Sequence, residues 1–274
     1  MKISVITTVY NRPDHLRLLA AALAAQTRPP DELVVADDGS DSATAEAIAR
    51  RLPACGLPAR VVRQEKDGYR LAAARNLAIR AATGDYLLFL DCDIAPLPDA
   101  VEVHAREAAP GRLLCGNRAL LDEAATRTLF AAEPSPTAAD WEQAWAQADR
   151  SELAVAADLF RRHARRRRWH VARPHKPKLI GCHFSLFRKD VERVNGFDEN
   201  FVGWGYEDDD FARRLYKAGV APRSVIESAR ALHLWHPSLA PQELKRHRDR
   251  PNRAYFRRWC VPARCVNGLH RPEA

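Results

Sequence analysis

Residues 3–37, ISVITTVYNRPDHLRLLAAALAAQTRPPDELVVAD, contain the pattern that decides the fold. Each end is a β-branched, apolar run that predicts a strand. The segment between them has apolar residues at the spacing i, i+3, i+4 and i+7 of one helix face, namely Leu16, Leu19, Ala20 and Leu23. A strand, a helix and a strand in this order predict a βαβ unit with parallel strands.

The same alternation of strand and helix patterns continues as far as residue 121. The further predicted strands are ARVVRQ at 59–64, YLLFLD at 86–91 and RLLCGN at 112–117, and predicted helices begin near residues 41 and 71. This alternation predicts an α/β fold with a Rossmann-like, mostly parallel sheet flanked by helices.

The second half of the chain has a different pattern. Residues 122–177 lack strand patterns and are rich in alanine, tryptophan and arginine, which predicts a helical insertion. Strand patterns return in KLIGCHFSLFRK at 178–189 and in the last apolar stretch at 223–236, with a helix between them that ends at Gly219. The residues after 237 are basic and interrupted by proline.

Composition excludes several classes of protein. A chain of 274 residues with 46% hydrophobic content can bury a large core. Because no run of eighteen apolar residues and no signal-peptide pattern occurs, we expect a cytoplasmic protein. The six cysteines have no C-x-x-C spacing, which argues against a zinc site or a disulfide framework.

Positive charge is concentrated in one segment. The chain has a formal net charge of +8. Residues 160–170, FRRHARRRRWH, contain six arginines and two histidines. The segment is either a solvated helix face or a contact with an anionic membrane surface or a phosphorylated acceptor. We expect no nucleic-acid binding, because no nucleic-acid recognition motif accompanies the charge.

The stretch YLLFLDCDIAP at residues 86–96 ends an apolar strand in Asp91, Cys92 and Asp93. Residues i and i+2 of an extended chain point to the same side, about 7 Å apart. Both carboxylates can therefore face one site at the carboxyl end of the strand, where open α/β sheets bind ligands. Oxygen ligands of this kind suit Mg²⁺ or Mn²⁺. The alternative is that the two aspartates only end the strand.

VADDGS at residues 35–40 ends another strand in two acids at the same sheet edge. A carboxylate here can accept hydrogen bonds from a ribose or a base. Alternatively, Asp38, Ser40 and Asp41 form only a turn and a helix N-cap.

Four consecutive acids, residues 207–210, begin a helix after a Gly-Trp-Gly turn. Glu207 and Asp208 precede Phe211 by four and three residues, so they are predicted to lie at the head of its apolar face. An inward carboxylate among other acids should have a raised pKa, as a general base near neutral pH needs. Either Glu207 or Asp208 is therefore a candidate base, unless the acids only stabilise the helix N-terminus.

The other two acids of this helix are predicted to be exposed. Asp209 and Asp210 precede Arg213 and Arg214 by four residues, which is the spacing of ion pairs on a helix surface.

Two histidines, His233 and His236, follow an apolar strand near the end of the chain. A neutral imidazole could complete the coordination of an ion held by Asp93. The two residues differ in strand parity, which predicts that only one faces the site; the alternative is a histidine satisfied within the core.

Taken together, these segments resemble the family 2 glycosyltransferases, and the C-terminal half is similar to the catalytic region of β-1,4-galactosyltransferases and chondroitin polymerases. The resemblance covers the chain except residues 122–177. It implies a GT-A fold with a nucleotide-sugar-binding half at 1–121, a basic helical insertion at 122–177, an acceptor-binding and catalytic half at 178–240 and a basic tail at 241–274.

The resemblance implies donor contacts from four motifs, VITTVYNRPDHL, VADDGS, QEKDGYRLAAARN and LDCD. For a UDP-sugar these are Thr8, Tyr10 and Arg12 at the uridine or diphosphate, Asp38 at the ribose or base, Asp67 at the base, Arg75 near the diphosphate, Asp91 at the ribose, and Cys92 as a further donor-binding residue. Asp93 is implied as the direct ligand of Mn²⁺ or Mg²⁺, with His233 as the metal histidine and His236 in reserve.

GWGYEDDD is similar to the acceptor-site motif of the galactosyltransferases. It implies Asp208 as the catalytic base, with Trp204, Glu207 and Asp209 around the acceptor sugar. His183 is assigned to the acceptor pocket as well, at a position where related sequences usually have asparagine.

These assignments predict an inverting, single-displacement transfer of a hexose or N-acetylhexosamine from a UDP-sugar to a glycan hydroxyl, in lipopolysaccharide, capsule or other surface polysaccharide synthesis. The basic segment at 160–170 favours a phosphorylated or lipid-borne acceptor and peripheral contact with the inner face of the plasma membrane. The alternatives are a sugar-phosphate nucleotidyltransferase and a basic surface-binding protein without catalytic activity.

Overall fold

The computed structural model describes residues 1–237 and 251–270. The first half of the chain alternates strands and helices, as the sequence predicts. Its elements are β1 (Ile3–Val9), α1 (Pro13–Ala24), β2 (Glu32–Asp37), α2 (Ser42–Arg51), a 3-10 turn (Leu52–Cys55), β3 (Ala59–Arg63), α3 (Leu71–Ala81), β4 (Tyr86–Leu90), β5 (Ile94–Pro96), α4 (Ala100–Glu107), β6 (Arg112–Cys115) and β7 (Ala119–Leu120).

The predicted insertion is helical, and both strands and helices follow it. Its helices are α5 (Glu123–Ala131), α6 (Ala138–Gln147) and α7 (Ser151–Arg168). The remaining elements are β8 (His183–Phe187), α8 (Arg188–Arg193), α9 (Glu207–Lys217), β9 (Ala221–Ser224), β10 (Ala231–His233) and α10 (Pro251–Phe256). The apolar stretch at 223–236 is not one strand, because its two ends belong to β9 and β10, which lie in different sheets.

Within the described ranges, seven strands form the main sheet in the order β3-β2-β1-β4-β8-β6-β9. The neighbours β3, β2, β1 and β4 are parallel, and β8 runs antiparallel to both β4 and β6. A smaller sheet has the order β5-β10-β7. The sheet is therefore mostly parallel, and its antiparallel strand comes from the second half of the chain.

Strand β4 lies at the centre of the sheet and is covered on both faces. Leu87 and Phe89 pack into one apolar cluster with residues of α3 and α9, whereas Tyr86 and Leu88 pack into another with residues of α1 and α4. Burial on both faces explains why this strand is apolar at every position. It also holds the acids that follow β4 in a fixed position.

The part of the predicted tail that the structure describes, residues 251–270, packs on the body of the molecule. The Asn195 side chain donates to the carbonyl oxygens of Cys265 and His270, at 2.9 and 2.8 Å. Arg80 donates to the carbonyl oxygens of Gly268 and Leu269. Residues 241–250 and 271–274 of the predicted tail lie outside the described residues.

No helix in residues 1–237 and 251–270 combines the length and the apolar character that a membrane span requires.

Candidate active site

The carboxyl end of β4 is the centre of the candidate site. The chain turns directly after Leu90, since the amide of Ile94 donates to the carbonyl oxygen of Asp91 at 3.0 Å. The amide of Asp91 donates to the carbonyl oxygen of Cys182, on the segment before β8. Asp91 and Asp93 therefore lie at the carboxyl edge of the parallel strands, as the sequence predicts.

Asp93 lies in a cluster with both histidines. His236 Nε2 is 3.1 Å from Asp93 Oδ2, and His233 Nε2 is 3.9 Å from Asp93 Oδ1. His233 reaches this position because β10 pairs antiparallel with β5, which places it opposite Ile94. The prediction that only one histidine faces the site is wrong, because β10 ends at His233 and strand parity does not extend to His236.

This cluster has the composition of a divalent metal site. One ligand atom from each of Asp93, His233 and His236 lies within 4.8 Å of the others. A carboxylate with two imidazoles suits Mn²⁺ better than Mg²⁺, which prefers oxygen ligands. Burial lowers the pKa of His233 and favours the neutral form that binds metals; the Asp93 charge opposes this shift, and His236, Arg118 and Arg12 add to it. Burial alone would raise the pKa of Asp93, but the His236 hydrogen bond and nearby cations lower it.

Arg75 joins the acids of β4 to those of α9. Its buried guanidinium donates to Asp208 Oδ1 at 2.5 Å, to Asp91 Oδ1 at 3.2 Å and to the carbonyl oxygen of Gly181 at 2.9 Å. Burial raises the pKa of Asp91 to about 6; the Arg75 charge opposes this shift, and Asp93 and Asp208 add to it. The predicted convergence of β4 and the acidic helix in one site is therefore present in the structure.

The four acids of α9 divide differently from the periodicity prediction. Asp210 is fully buried between Arg213 and Arg214, so the prediction of an exposed pair is wrong for this residue. Asp209 is partly buried, and burial raises its pKa against the charges of Lys178 and Lys176. Asp209 does not form the predicted pair with Arg213, whose guanidinium donates to Asp210 instead.

Glu207 and Asp208 are the acids of α9 whose charges act on Arg75. Burial, and after it the charge of Asp208, raises the pKa of Glu207 to about 8. Among the described residues, Glu207 Oε2 and Asp209 Oδ1 are buried acceptor atoms with no hydrogen-bond partner. Such atoms are uncommon in folded proteins and are often explained by a ligand or water that the site binds.

Gly181 is a site residue that the sequence analysis missed. A Cβ atom at this position would collide with the carboxylate of Asp208. Because Gly181 has no side chain, the Asp208 carboxylate has space to approach Arg75. A lone glycine before a strand gives no sequence signal of this role, because the contact joins segments that are distant in the chain.

The predicted nucleotide side of the site is formed by the loops after β1, β2 and β3. The Asp38 carboxylate accepts from Gln64 Nε2 at 2.6 Å and lies 3.6 Å from Lys66 Nζ. The same ammonium is 3.5 Å from the centre of the Tyr10 ring. Lys66 and Gln64 were not predicted, although both belong to the motif that supplied Asp67 and Arg75.

Thr8 and Asp67 lie at the margins of this region. Thr8 is half-buried near the end of β1. The Asp67 side chain is exposed and pairs with Arg70 at 3.3 Å.

Two predicted site residues lie in the core. His183 is fully buried, and its ring nitrogens contact the carbonyl oxygen of Asn117 at 2.9 Å and His104 Nε2 at 2.8 Å. The assignment of His183 to an acceptor pocket is corrected, because both of its polar atoms have partners within the protein. Cys92 is buried in the apolar cluster that contains residues of α1 and α4.

Trp204 lies in the turn that precedes α9 and is half exposed. Gly203 and Gly205, on either side, have φ values of +83° and +98°, which glycine adopts without strain. Helix α10 supports this turn, since Asn252 Nδ2 donates to the carbonyl oxygen of Gly205 at 3.0 Å and the Phe256 ring stacks on Tyr206. The sequence analysis did not predict this support.

A mostly parallel sheet with acids at its carboxyl edge is typical of the α/β proteins that bind ligands at that edge. Within that class, the chain belongs to glycosyl transferase family 2, whose sequence model matches residues 4–194. The model described as the N-terminal domain of galactosyltransferase matches residues 161–237. The resemblance drawn from the motifs is therefore confirmed.

Three known proteins show how far the similarity extends. The chondroitin synthase of Escherichia coli is 33% identical over 248 residues, which is 84% of this chain and 34% of the synthase. The structure of S. aureus TarS 1–349 in complex with UDP-GlcNAc has a TM-score of 0.57 and 18% identity, covering 89% of this chain and 63% of that one. The mannosyltransferase PcManGT from Pyrobaculum calidifontis, in complex with GDP-Man and Mn²⁺, has a TM-score of 0.56 and 19% identity, covering 93% and 59%.

These comparisons confirm the predicted GT-A fold. The chain spans about a third of the length of the chondroitin synthase that it matches.

Proposed function

We propose that this protein is an inverting, metal-dependent glycosyltransferase that moves a hexose or N-acetylhexosamine from a UDP-sugar to a glycan hydroxyl. The observation that carries the proposal is the Arg75 bridge, which joins Asp91 at the end of β4 to Asp208 on α9. It joins an acid that we assign to the donor side with an acid that we assign to the acceptor side, beside the Asp93 cluster. We propose that the product belongs to a lipopolysaccharide, capsule or other surface polysaccharide.

The donor would bind along the ends of β1, β2 and β4. Tyr10 and Lys66 offer an aromatic ring and a cation, and Asp38 offers a carboxylate for a ribose or base. TarS in complex with UDP-GlcNAc and PcManGT in complex with GDP-Man support a nucleotide-sugar donor. We favour UDP because of the motif resemblance, with Thr8, Arg12 and Asp91 as additional contacts.

Asp93, His233 and His236 would hold the divalent ion, which we propose to be Mn²⁺. When bound, such an ion stabilises negative charge on a leaving diphosphate. The PcManGT complex with Mn²⁺ supports a metal in this fold.

Asp208 is the residue that we propose as the general base. Burial raises the pKa of Glu207 to about 8, so most of this residue is protonated at pH 7 and a smaller share of it is ready to accept a proton. Arg75 fixes one carboxylate oxygen of Asp208, and the absence of a side chain at Gly181 leaves space beside the other. Asp208 would remove the proton of the acceptor hydroxyl as that oxygen attacks the anomeric carbon on the face opposite the diphosphate.

The acceptor sugar would bind between the turn before α9 and the first turn of that helix. Glu207 Oε2 and Asp209 Oδ1 are buried acceptor atoms that sugar hydroxyls could satisfy. The exposed side chain of Trp204 offers a flat apolar surface for a sugar ring.

Binding calorimetry with UDP-galactose, UDP-glucose, UDP-N-acetylglucosamine and UDP-N-acetylgalactosamine tests the proposal, with and without Mn²⁺. We expect one or more of these donors to bind in the presence of Mn²⁺ and to lose affinity in Asp93→Asn. Release of pyrophosphate from a nucleoside triphosphate and a sugar phosphate would instead support a nucleotidyltransferase. Absence of metal-dependent nucleotide binding would support a surface-binding protein and contradict the proposal.

Helix α7 supports a peripheral contact with an anionic membrane or a lipid-borne acceptor. Its last turn contains Arg165, Arg166, Arg167 and Arg168. The adjacent Trp169 and Val171 are both 72% exposed, so apolar and cationic groups occur together, as in interfacial helices.

Co-sedimentation with phosphatidylglycerol vesicles tests this contact, with phosphatidylcholine vesicles as the neutral comparison. We expect binding to the anionic vesicles alone and a loss of binding in Trp169→Ala. Trp259→Ala is a matched control, since Trp259 is fully exposed on a different part of the chain. Equal binding to both kinds of vesicle would contradict the membrane proposal.

A further inference from the structure

Arg12 reaches from the end of β1 into the Asp93 cluster. Its Nη1 donates to Asp93 Oδ2 at 3.2 Å, and its Nη2 lies 2.8 Å from His236 Nδ1. Asn11, with φ of +51°, sets the direction of the chain here, and its amide and side chain are both bonded to the loop after β2. Arg12 is therefore held against the same two side chains that would bind a metal.

The Arg12 contact depends on where the His236 proton lies. A guanidinium has no acceptor atom, so the Arg12 contact requires a lone pair on Nδ1 of His236. A neutral imidazole has one acceptor and one N–H, so in the form that accepts from Arg12 the proton lies on Nε2. That N–H donates to Asp93 Oδ2, which lies 3.1 Å away. Arg12, His236 and Asp93 thus form a closed set of hydrogen bonds.

Metal ligation through Nε2 requires the opposite tautomer. The lone pair must then be on Nε2 and the proton on Nδ1. The structure provides a partner for that proton, because the carbonyl oxygen of Pro237 is 2.9 Å from Nδ1. In this tautomer Nδ1 is a donor and can no longer accept from Arg12. One imidazole therefore cannot serve Arg12 and a metal at the same time.

We propose that His236 is a two-position switch, in which its Nε2–H tautomer holds Arg12 and its Nδ1–H tautomer binds the divalent ion and releases Arg12. The released guanidinium, which also leaves Asp93, is then available to the anionic diphosphate of the donor. Ion binding and donor binding are coupled through this one side chain. The inference deepens the proposed function and rests on it for the identity of the donor.

The tautomer of His236 can be measured directly by ¹⁵N NMR of histidine-labelled protein, with the resonance assigned through its loss in His236→Gln. Without metal, we expect the Nε2–H form in the wild type, and also in Arg12→Met, where Asp93 Oδ2 still accepts from Nε2. Addition of the diamagnetic ion Cd²⁺ should convert the wild type to the Nδ1–H form. An Nδ1–H form in the metal-free wild type, or an Nε2–H form with Cd²⁺ bound, would overturn the switch.

Mn²⁺ affinity without donor, measured by calorimetry, gives a second readout. We expect Arg12→Met to bind Mn²⁺ at least about 10-fold more tightly, because a competing charge-assisted hydrogen bond is lost. Arg118→Met is the charge control, since Arg118 acts on His233 through its charge and donates to Asn117. An equal gain in both variants would mean that charge alone acts and would overturn the competition.

These measurements separate the switch from the proposed function. Neither the tautomer nor the donor-free Mn²⁺ affinity depends on a nucleotide-sugar. If UDP-sugars fail to bind while the tautomer changes as expected, the proposed function is wrong and the switch stands. If UDP-sugars bind with Mn²⁺ but the tautomer does not change, only the switch is wrong.

Discussion

At the scale of single residues, Gly181 limits where the proposed base can lie. A methyl group at this position would collide with the carboxylate of Asp208, which is the end of a rotatable side chain. In Gly181→Ala we therefore expect Asp208 to move and turnover to fall about 100-fold, the loss that a displaced catalytic group can cause. The rotation that relieves the contact weakens the Arg75 bond to Asp208, but Arg75 keeps Asp91 and Gly181 as partners, so the melting temperature should fall only moderately.

Gly116→Ala is the matched control for that prediction. The added methyl group would meet the ring of His183, which is buried and hydrogen bonded on both sides. Because this ring cannot move away, the substitution should lower the melting temperature. If Gly181→Ala unfolded the protein as readily as Gly116→Ala does, the freedom of Asp208 would be contradicted.

Asp208→Asn tests the base itself. We expect turnover to fall by about 10²- to 10⁴-fold, the range typical of a lost general base. Donor affinity should stay close to the wild-type value, because Arg75 keeps its bonds to Asp91 and Gly181. Release of UDP in the presence of acceptor measures the first quantity, and calorimetry measures the second. Turnover near the wild-type level would remove Asp208 from this role.

At the scale of elements, helix α9 contributes both to the candidate site and to the stability of the fold. Its sequence does not show which of its acids serves which role. Its first turn supplies the acids of the site, while Asp210 and Arg214 form a fully buried ion pair against α8 and the turn after it. Arg214 also donates to the carbonyl oxygens of Val194 and Gly196, each at 2.8 Å. The i, i+4 spacing predicted the pair correctly, but burial of both groups depends on α8, which the sequence did not reveal.

Asp210→Ala therefore separates stability from chemistry on one helix. Removal of this carboxylate leaves the buried Arg214 without its partner, so we expect a loss of about 3–5 kcal/mol in the free energy of unfolding. Urea denaturation measures this loss. The fraction that stays folded should keep its donor affinity, in contrast to a change at Asp93. A stability equal to that of the wild type would contradict the importance of the buried pair.

His233 and His236 also show that contacts between distant segments limit what the sequence can predict about one strand. Motif order identified His233 and His236, but strand parity excluded one of them. The exclusion failed because β10 ends at His233, after pairing with the short strand β5. The end of a three-residue strand is set by its partners in space, and no partner was visible in the sequence.

At the scale of the whole molecule, local patterns predicted the parallel half of the sheet well. The βα alternation identified β1 to β4 and their helices, because strand and helix periodicities are local properties. The position of β8 between β4 and β6, and the small sheet β5-β10-β7, depend on contacts between distant segments. The contact of α10 with the turn that contains Trp204 also joins distant segments. Long-range pairing of this sort leaves no periodic signal.

Glu207 should make the stability of the whole molecule depend on pH. Burial raises its pKa from 4.5 to about 8, with Asp208 and Asp91 acting in the same direction and Arg75 opposing. Between these values the folded protein holds a proton that the unfolded chain has lost, so this contribution to stability is full below pH 4.5 and is lost as pH rises towards 8.

Glu207→Gln should remove this dependence. Relative to the variant, the wild type should lose stability from pH 5 to pH 8 with a slope of at most about 1.4 kcal/mol per pH unit, the value for one proton. Urea denaturation of both proteins at four pH values gives the difference between their free energies of unfolding. Burial lowers the pKa of His183 to about 4, which makes stability depend on pH in the opposite direction. This contribution is the same in both proteins and cancels in the difference. Glu123→Gln, which changes an exposed helix pair with Arg127, should show no such slope. A flat difference between wild type and Glu207→Gln would mean that Glu207 is ionised in the folded protein, and Glu207 would then return as a rival to Asp208 for the role of base.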